Sequence, residues 1–499
     1  KYLDEPVGIS GKDYLGKIIQ VRFDIPHVHP AKILKFLSEE LDRIIGKLPK
    51  SVSDYYNSAN SYKDDIFNPG LNDFFKNVRD VRRFANSLEF NISKLHKADA
   101  MEVNPIDFIA IEALRVFAPQ LYNSLKINKR LLTQYQASYA SEQKKEANKK
   151  EKENTFYQML KDGNQNSDSI KILLKRLFPQ IESLLESGNF GYGEQMQAEW
   201  RTNLRVCTSK NFDSYFTLNP GGNEDGISQH ELNKIISSAH TTQDFESNLR
   251  EFITSERIQD ILERMLDLKT ARNNSLTNYK KNVIQALFNI SDDLPKEPVI
   301  MNSFGLNSLL VGIVIELLTQ NEDPHENYEI IKAALISSKG FIGAIKTISN
   351  LLPSEKKKRL YQLNFSPQDN ENLINLGLEK ISNYDREQLI EHDDLLYILY
   401  RWKKWDEEKS WQDFLRWAEE DKMRYVRLIT RLIDGSYDFP SEEVDNLDNK
   451  LYSFKCVREL LNPDGVKLKL EELKSDASFY SEHRDFFDKA LENLDGKSN

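Results

Sequence analysis

At 499 residues the chain is long enough for about two to four domains and a large buried core. It is 39% hydrophobic and 29% charged, a globular balance that excludes a disordered or low-complexity protein. The net charge of -10 and pI near 5.5 argue against nonspecific nucleic-acid binding by the whole surface, though not against a local basic patch, and the chain carries no strong nucleic-acid signal. Two widely separated cysteines, Cys207 and Cys456, form no CxxC pair and read as reduced thiols of a cytoplasmic protein.

Gly8–Asp13, GISGKD, offers a Gly-Lys pair, but Asp13 stands where a phosphate loop needs Ser or Thr, so the stretch reads as a plain loop. Lys17–Pro26, KIIQVRFDIP, is β-branched and aromatic, alternates from Val21 to Ile25 and stops at a proline. That pattern predicts one short strand near Ile18–Ile25. His27 and His29 in PHVHP lack a third ligand at recognisable spacing, so no metal is expected there. A helix is expected from about Ala31 to Ile45, and Ser51–Asn72 reads as a loop or short helices.

Phe74–Asn91, FFKNVRDVRRFANSLEFN, predicts one amphipathic helix. Phe74, Val78, Val81, Ala85 and Leu88 make its apolar stripe. Beside the stripe lie Arg79, Arg82 and Asn86, with Lys76 and Arg83 extending the flank. Cations gathered on one helix of an acidic chain suit a phosphate, which a guanidinium fork meets with two hydrogen bonds. A solvated basic face is the plainer account of the same residues.

Glu102–Tyr122 predicts a helix with Asn104 as N-cap and Pro105 at its first turn. Glu142–Glu153, EQKKEANKKEKE, has no apolar face and marks a solvated helix or a linker. Ile170–Ser187 predicts two helical segments broken at Pro179. The loop Asn219–Gly226 lacks the first ligand and the last glutamate of a calcium loop, whereas Ser228 and Glu231 form a capping box.

Beyond about Gln243 the pattern is helix after helix: Phe245–Asp267, Asn278–Ile290, Met301–Thr319, Tyr328–Leu352, Asp393–Trp405, Trp411–Ile433 and Leu451–Leu461. The apolar run Leu306–Leu318 is too short to span a bilayer and reads as a core helix. Without a clean repeat period, the region is an irregular, solenoid-like helical domain. Trp402, Trp405, Trp411 and Trp417 cluster on two of its helices, the second expected to be capped by Ser410 and Asp413. They read as a core seam or as a partner-binding patch.

Three stretches also carry a family resemblance. Tyr14–Pro26, YLGKIIQVRFDIP, followed by Arg79-Asp80-x-Arg82-Arg83-x-x-Asn86, resembles the second half of the nucleotide-binding domain of KAP-family P-loop NTPases, relatives of the STAND and AAA+ ATPases. Gly16 and Arg22 depart from the family's usual Glu and Pro. Glu102–Tyr122 and Asn211–Leu232, with its F-D-x-Y-F turn, are similar to later family segments. The GxxxxGK[ST] loop and the acidic Mg²⁺-holding strand end are absent from these 499 residues.

The resemblance implies a mainly α chain: the end of a P-loop α/β core, a helical lid and an irregular helical C-terminal domain. The expected divisions are residues 1–50 (core end), 51–140 (lid and sensor), 141–240 (helical linker) and 241–499 (helical domain). It further implies an ATP-dependent switch or assembly protein, of a kind that in bacteria often serves anti-phage defence beside an effector protein. Arg79, Arg82, Arg83 and Asn86 would sense nucleotide. ATP and Mg²⁺ would serve the full-length protein, with no cofactor for this chain alone and no turnover by it. The phosphate site would come from an N-terminal region or from a neighbouring subunit of a homo-oligomer. Family membrane helices, where they occur, belong to that N-terminal region. The alternative is an all-helical scaffold that binds a protein partner and no nucleotide.

Overall fold

A computed structural model describes residues 28–134, 142–162, 167–185, 192–217, 226–255, 257–295, 305–319, 323–353, 363–435 and 460–494. The expected strand, the GISGKD loop, His27, most of the glycine-rich loop, Cys456 and residues 451–459 lie outside them. The described residues are mainly helical, as expected, and their one sheet is a two-stranded hairpin that alternation did not reveal. No described helix is long and apolar enough to cross a membrane. The chain forms two compact units, one of residues 1–190 with 205–220, the other of 191–204 with 221–499.

In the first unit α1 spans Pro30–Ile45, α2 Lys50–Ser58, α3 Asn60–Phe67 and α4 Val78–Ile92. Strands β1 (His96–Lys97) and β2 (Ala100–Met101) pair antiparallel, with His96 opposite Met101. Helices α5 (Pro105–Phe117), α6 (Pro119–Ile127), α7 (Lys129–Thr133), α8 (Glu142–Asp162), α9 (Ser167–Leu177) and α10 (Gln180–Leu185) follow. Asn104 caps α5 by accepting from Ile106 N and Asp107 N, with Pro105 in the first turn as its sequence predicts. Pro179 separates α9 from α10. The lysine-glutamate run is helical within α8, which buries Phe156 and Met159 farther along.

Helix α4 lies between α1 and α5. It starts later than the sequence suggests. Phe74 ends a short 3-10 turn, and Asn77 caps the helix by accepting from Asp80 N. The buried face is Val81, Phe84, Ala85, Leu88 and Ile92, while Val78 is exposed. Phe84 therefore replaces Val78 and Phe74 in the stripe. Phe75 folds back edge-on to Phe84 and Phe117 at 5.1 and 5.4 Å, which draws the preceding turn into the core.

The second unit contains α11 (Glu194–Thr202), α12 (Gln229–Ser237), α13 (Thr242–Arg250), α14 (Arg257–Thr270), α15 (Lys280–Ile290), α16 (Leu306–Thr319), α17 (Pro324–Ser337), α18 (Ile342–Leu351) and α19 (Pro367–Asn383). It continues with α20 (Arg386–Glu391), α21 (Leu395–Trp405), α22 (Trp411–Glu419), α23 (Lys422–Gly435), α24 (Pro463–Lys474), α25 (Ala477–Glu482) and α26 (Arg484–Leu494). Alternate helices pack together: α13 on α15, α15 on α17, α17 on α19, α19 on α21, and in a second row α14 on α16 and α16 on α18. This is the stacking of a solenoid without a sequence repeat. The Ser228–Glu231 capping box opens α12 as expected.

Four predicted helices are each two, among them Glu102–Tyr122, which Pro119 divides into α5 and α6. The break between α17 and α18 has a tertiary cause. Asp292 accepts hydrogen bonds from Phe341 N and Ile342 N at 2.8–3.0 Å, so a distant carboxylate starts α18. Gly340 passes so close to the Phe288 carbonyl that a Cβ would sit 1.6 Å from its oxygen. The break between α22 and α23 is local, because the Asp421 carboxylate accepts from Met423 N and Arg424 N. Phe245–Asp267 is interrupted after Arg250, where α13 ends, and resumes at Arg257.

Candidate functional site

The arginine face of α4 divides into residues that are free and residues that are engaged. Lys76, Arg79 and Asn86 are exposed, and among the described residues their side chains have no hydrogen bond or ion pair. Arg82 donates to Glu40 Oε1 of α1 at 2.9 Å and covers the Phe36 ring, with its guanidinium carbon 4.8 Å from the centroid. Arg83 donates to the Val116 carbonyl at 2.7 Å and lies 5.8 Å from the Phe117 centroid. The four sequence-predicted residues share one helix face, and two of them are already in use.

Glu40 is the centre of a charge ladder between α1 and α4. Its side chain is only 9% exposed, and Arg43 Nε meets its second oxygen at 2.9 Å. Arg43 continues to Glu89, with its two terminal nitrogens on the two carboxylate oxygens at 3.1 and 2.8 Å. Lys47 reaches Glu89 at 2.6 Å. Hydrogen bonds from Arg43 and Lys47 hold the Glu89 carboxyl down at about 2.

Beneath α4 is a second polar group, between it and α5. Asn91 and Arg115 both donate to Glu112, which is 1% exposed, and Arg115 also reaches Ser87 at 2.6 Å. The helix is thus fixed in rotation by apolar packing and by two polar clamps.

A deeper polar knot lies at the start of α5. Asp107, fully buried, receives Arg205 Nε at 2.9 and 3.1 Å and Val206 N at 2.8 Å, and the Tyr62 hydroxyl donates to it as well. Arg205 stacks 4.0 Å from the Tyr62 centroid and donates to the Arg176 carbonyl. Asn104 N donates to the Tyr215 hydroxyl at 2.8 Å, and Asn104 Nδ2 to Tyr55. Burial opposes the Arg205 charge, but Asp107 holds its pKa well above the usual value. Burial also pushes the Cys207 thiol up to about 12, so it stays a protonated, inert core group. Sequence reasoning missed this knot. Its signal was an acid, Asp107, inside the run PIDFIAIEAL, whose residues apart from Asp107 and Glu112 are all apolar.

The tryptophan cluster is largely interior. Trp402 and Trp411 are buried, and the Trp402 indole donates to Ser410 Oγ at 3.2 Å. Ser410 donates in turn to Asp406 and makes no side-chain cap, contrary to the expected Ser410–Asp413 pairing: its backbone is already helical and its hydroxyl is taken by Asp406 and Trp402. Trp405 is half-buried where the unit's two apolar clusters meet. Trp417, also half-buried, lies beneath the guanidinium of Arg424 at 4.5 Å. Among the described residues no group of His, Cys, Asp and Glu is arranged to hold a metal.

The face of α4 thus sets two unpaired cations, Lys76 and Arg79, beside two paired ones, Arg82 and Arg83, while its opposite side is packed against the core. Residues 4–94 match the model of the KAP family P-loop domain, so the resemblance read from the sequence is shown over this stretch. The match includes α1 and the whole of α4, hence Glu40 and all four predicted sensor residues. No curated protein and no solved structure matches the chain.

Proposed function

We propose that α4 and its supports form the sensor face of the lid in an ATP-dependent switch, closing over a nucleotide whose phosphate-cradling loop lies outside residues 1–499. Exposed, unpaired Arg79 within the KAP-matching stretch carries this reading. An arginine that meets a terminal phosphate makes charge-assisted hydrogen bonds and distinguishes triphosphate from diphosphate. That difference in contact is what a two-state switch requires. The N-terminal region or a neighbouring subunit would supply the loop and the Mg²⁺ site, with assembly as the output.

The test uses the full-length protein, with ATP-dependent assembly read by light scattering. Arg79→Ala is expected to keep the parent's melting temperature and to weaken ATP-dependent assembly at least roughly tenfold, the effect of losing one charge-assisted phosphate contact. Unchanged assembly in Arg79→Ala and in Arg82→Ala would make the basic face a solvated surface only. Residues 1–499 by themselves are expected not to turn over ATP, because no loop in them matches the phosphate cradle.

A further inference from the structure

The ladder between α1 and α4 contains an imbalance. Glu40 is one carboxylate with two cations, Arg43 and Arg82, one on each oxygen at 2.9 Å. Its side chain is 9% exposed, so it could not be left without a cation cheaply. It need not be. If Arg82 departs, Arg43 still neutralises it from the same helix, three residues away. Arg82 is 60% exposed, so its own departure trades a protein partner for water or an incoming anion at little cost. On the α5 flank of the same face Arg83 is bonded to a main-chain carbonyl and has no such spare arrangement.

We propose that Glu40 is a positioning residue that competes with nucleotide phosphate for Arg82: it parks the guanidinium over Phe36 and releases it when a polyphosphate enters beside Arg79. This inference rests on the reading of α4 as the sensor face. Arg82 is then the exchangeable cation, Arg79 the standing one, and Glu40 sets the affinity threshold. A ligand that must first break a pair binds more weakly by the fraction of the protein in which the pair is open. Removing the competitor therefore tightens binding, whereas loss of a merely structural ion pair weakens it or leaves it unchanged.

The experiment measures Mg·ATP affinity of the full-length protein with a fluorescent ATP analogue, in five variants. Glu40→Gln keeps side-chain size, removes the charge and leaves one acceptor oxygen in place of two. It is expected to tighten binding roughly two- to fivefold, the range of an exposed ion pair. Adding Arg82→Ala to Glu40→Gln should abolish that gain, as coupled residues require. Arg43→Gln leaves Glu40 with Arg82 as its remaining cation, and should weaken binding. This converse keeps the proposal testable should Glu40→Gln fold poorly. If Glu40→Gln leaves affinity unchanged or lowers it while Arg79→Ala still loses binding, the competition is wrong and the sensor face stands. If neither Arg79→Ala nor Arg82→Ala alters binding, the sensor reading fails and the competition with it.

Discussion

Arg205 and Arg82 sit in the same unit, and each meets a carboxylate at 2.9 Å. Arg205 is 9% exposed and its partner Asp107 is fully buried, with Tyr62 and the Val206 amide filling the remaining acceptor positions. Arg82 is 60% exposed, and its partner already has a second cation. Distance alone does not separate these pairs. Solvent access and spare partners do: the first arginine is committed to holding α5 against the 205–217 segment, and the second can be exchanged.

Breaking each pair should expose the difference, and the largest effect belongs to the knot. Asp107→Ala strands a buried guanidinium and should cost about 3–5 kcal/mol, read as faster amide exchange throughout α5 in the whole chain. Replacing both partners, Asp107→Leu with Arg205→Met, should recover much of that loss, since no charge is then left unpaired. A double variant as unstable as Asp107→Ala would mean that the knot is held by its tyrosines and main-chain bonds instead. Tyr215→Phe comes next. It leaves the Asn104 amide buried without its acceptor, at about 1–3 kcal/mol, and the same exchange measurement should find the loss concentrated in the first turn of α5. Arg82→Ala should cost below about 1 kcal/mol, including its contact with Phe36. A loss comparable to that of Asp107→Ala would abolish the distinction drawn between the two arginines.

The sequence makes the two regions unequally legible for the same reason. Helical periodicity reports on one element at a time, so the positions of α1, α4 and α5 and the Asn104 cap are readable from residues within a few places of one another. The Arg79–Asn86 face is readable too, because i, i+3 and i+7 positions share a side of any helix. What periodicity cannot carry is a partner supplied from elsewhere. Glu40 lies 42 residues from Arg82, and Asp107 lies 98 residues from Arg205. The division of Tyr328–Leu352 into α17 and α18 has the same origin, since the capping carboxylate of Asp292 comes from 49 and 50 residues away. The α22–α23 break is different. Asp421 before Lys422 was a local cap signal inside an apolar pattern strong enough to hide it.

The smallest expected effect tests whether the ladder behaves as a surface device. Glu89, held at about 2 by hydrogen bonds from Arg43 and Lys47, has an ordinary value of 4.5. A carboxyl with a lowered folded-state pKa stabilises the fold above its unfolded value, and that contribution disappears as pH falls through the folded one. The window is therefore pH 4.5 down to about 2, with the contribution complete above it. The Glu89 side chain is 36% exposed, so solvent screening keeps the effect well below about 1 kcal/mol. Glu89→Gln should differ from the parent by a constant small amount above pH 5, converge with it near pH 2, and lose most of the difference in about 1 M salt, where screening reaches only about 3 Å. A Glu89 carboxyl that titrates near 4.5 by NMR would show that Arg43 and Lys47 do not hold it. Arg43 would then face Glu40 alone, and Arg82 would be the easier of the two cations to displace.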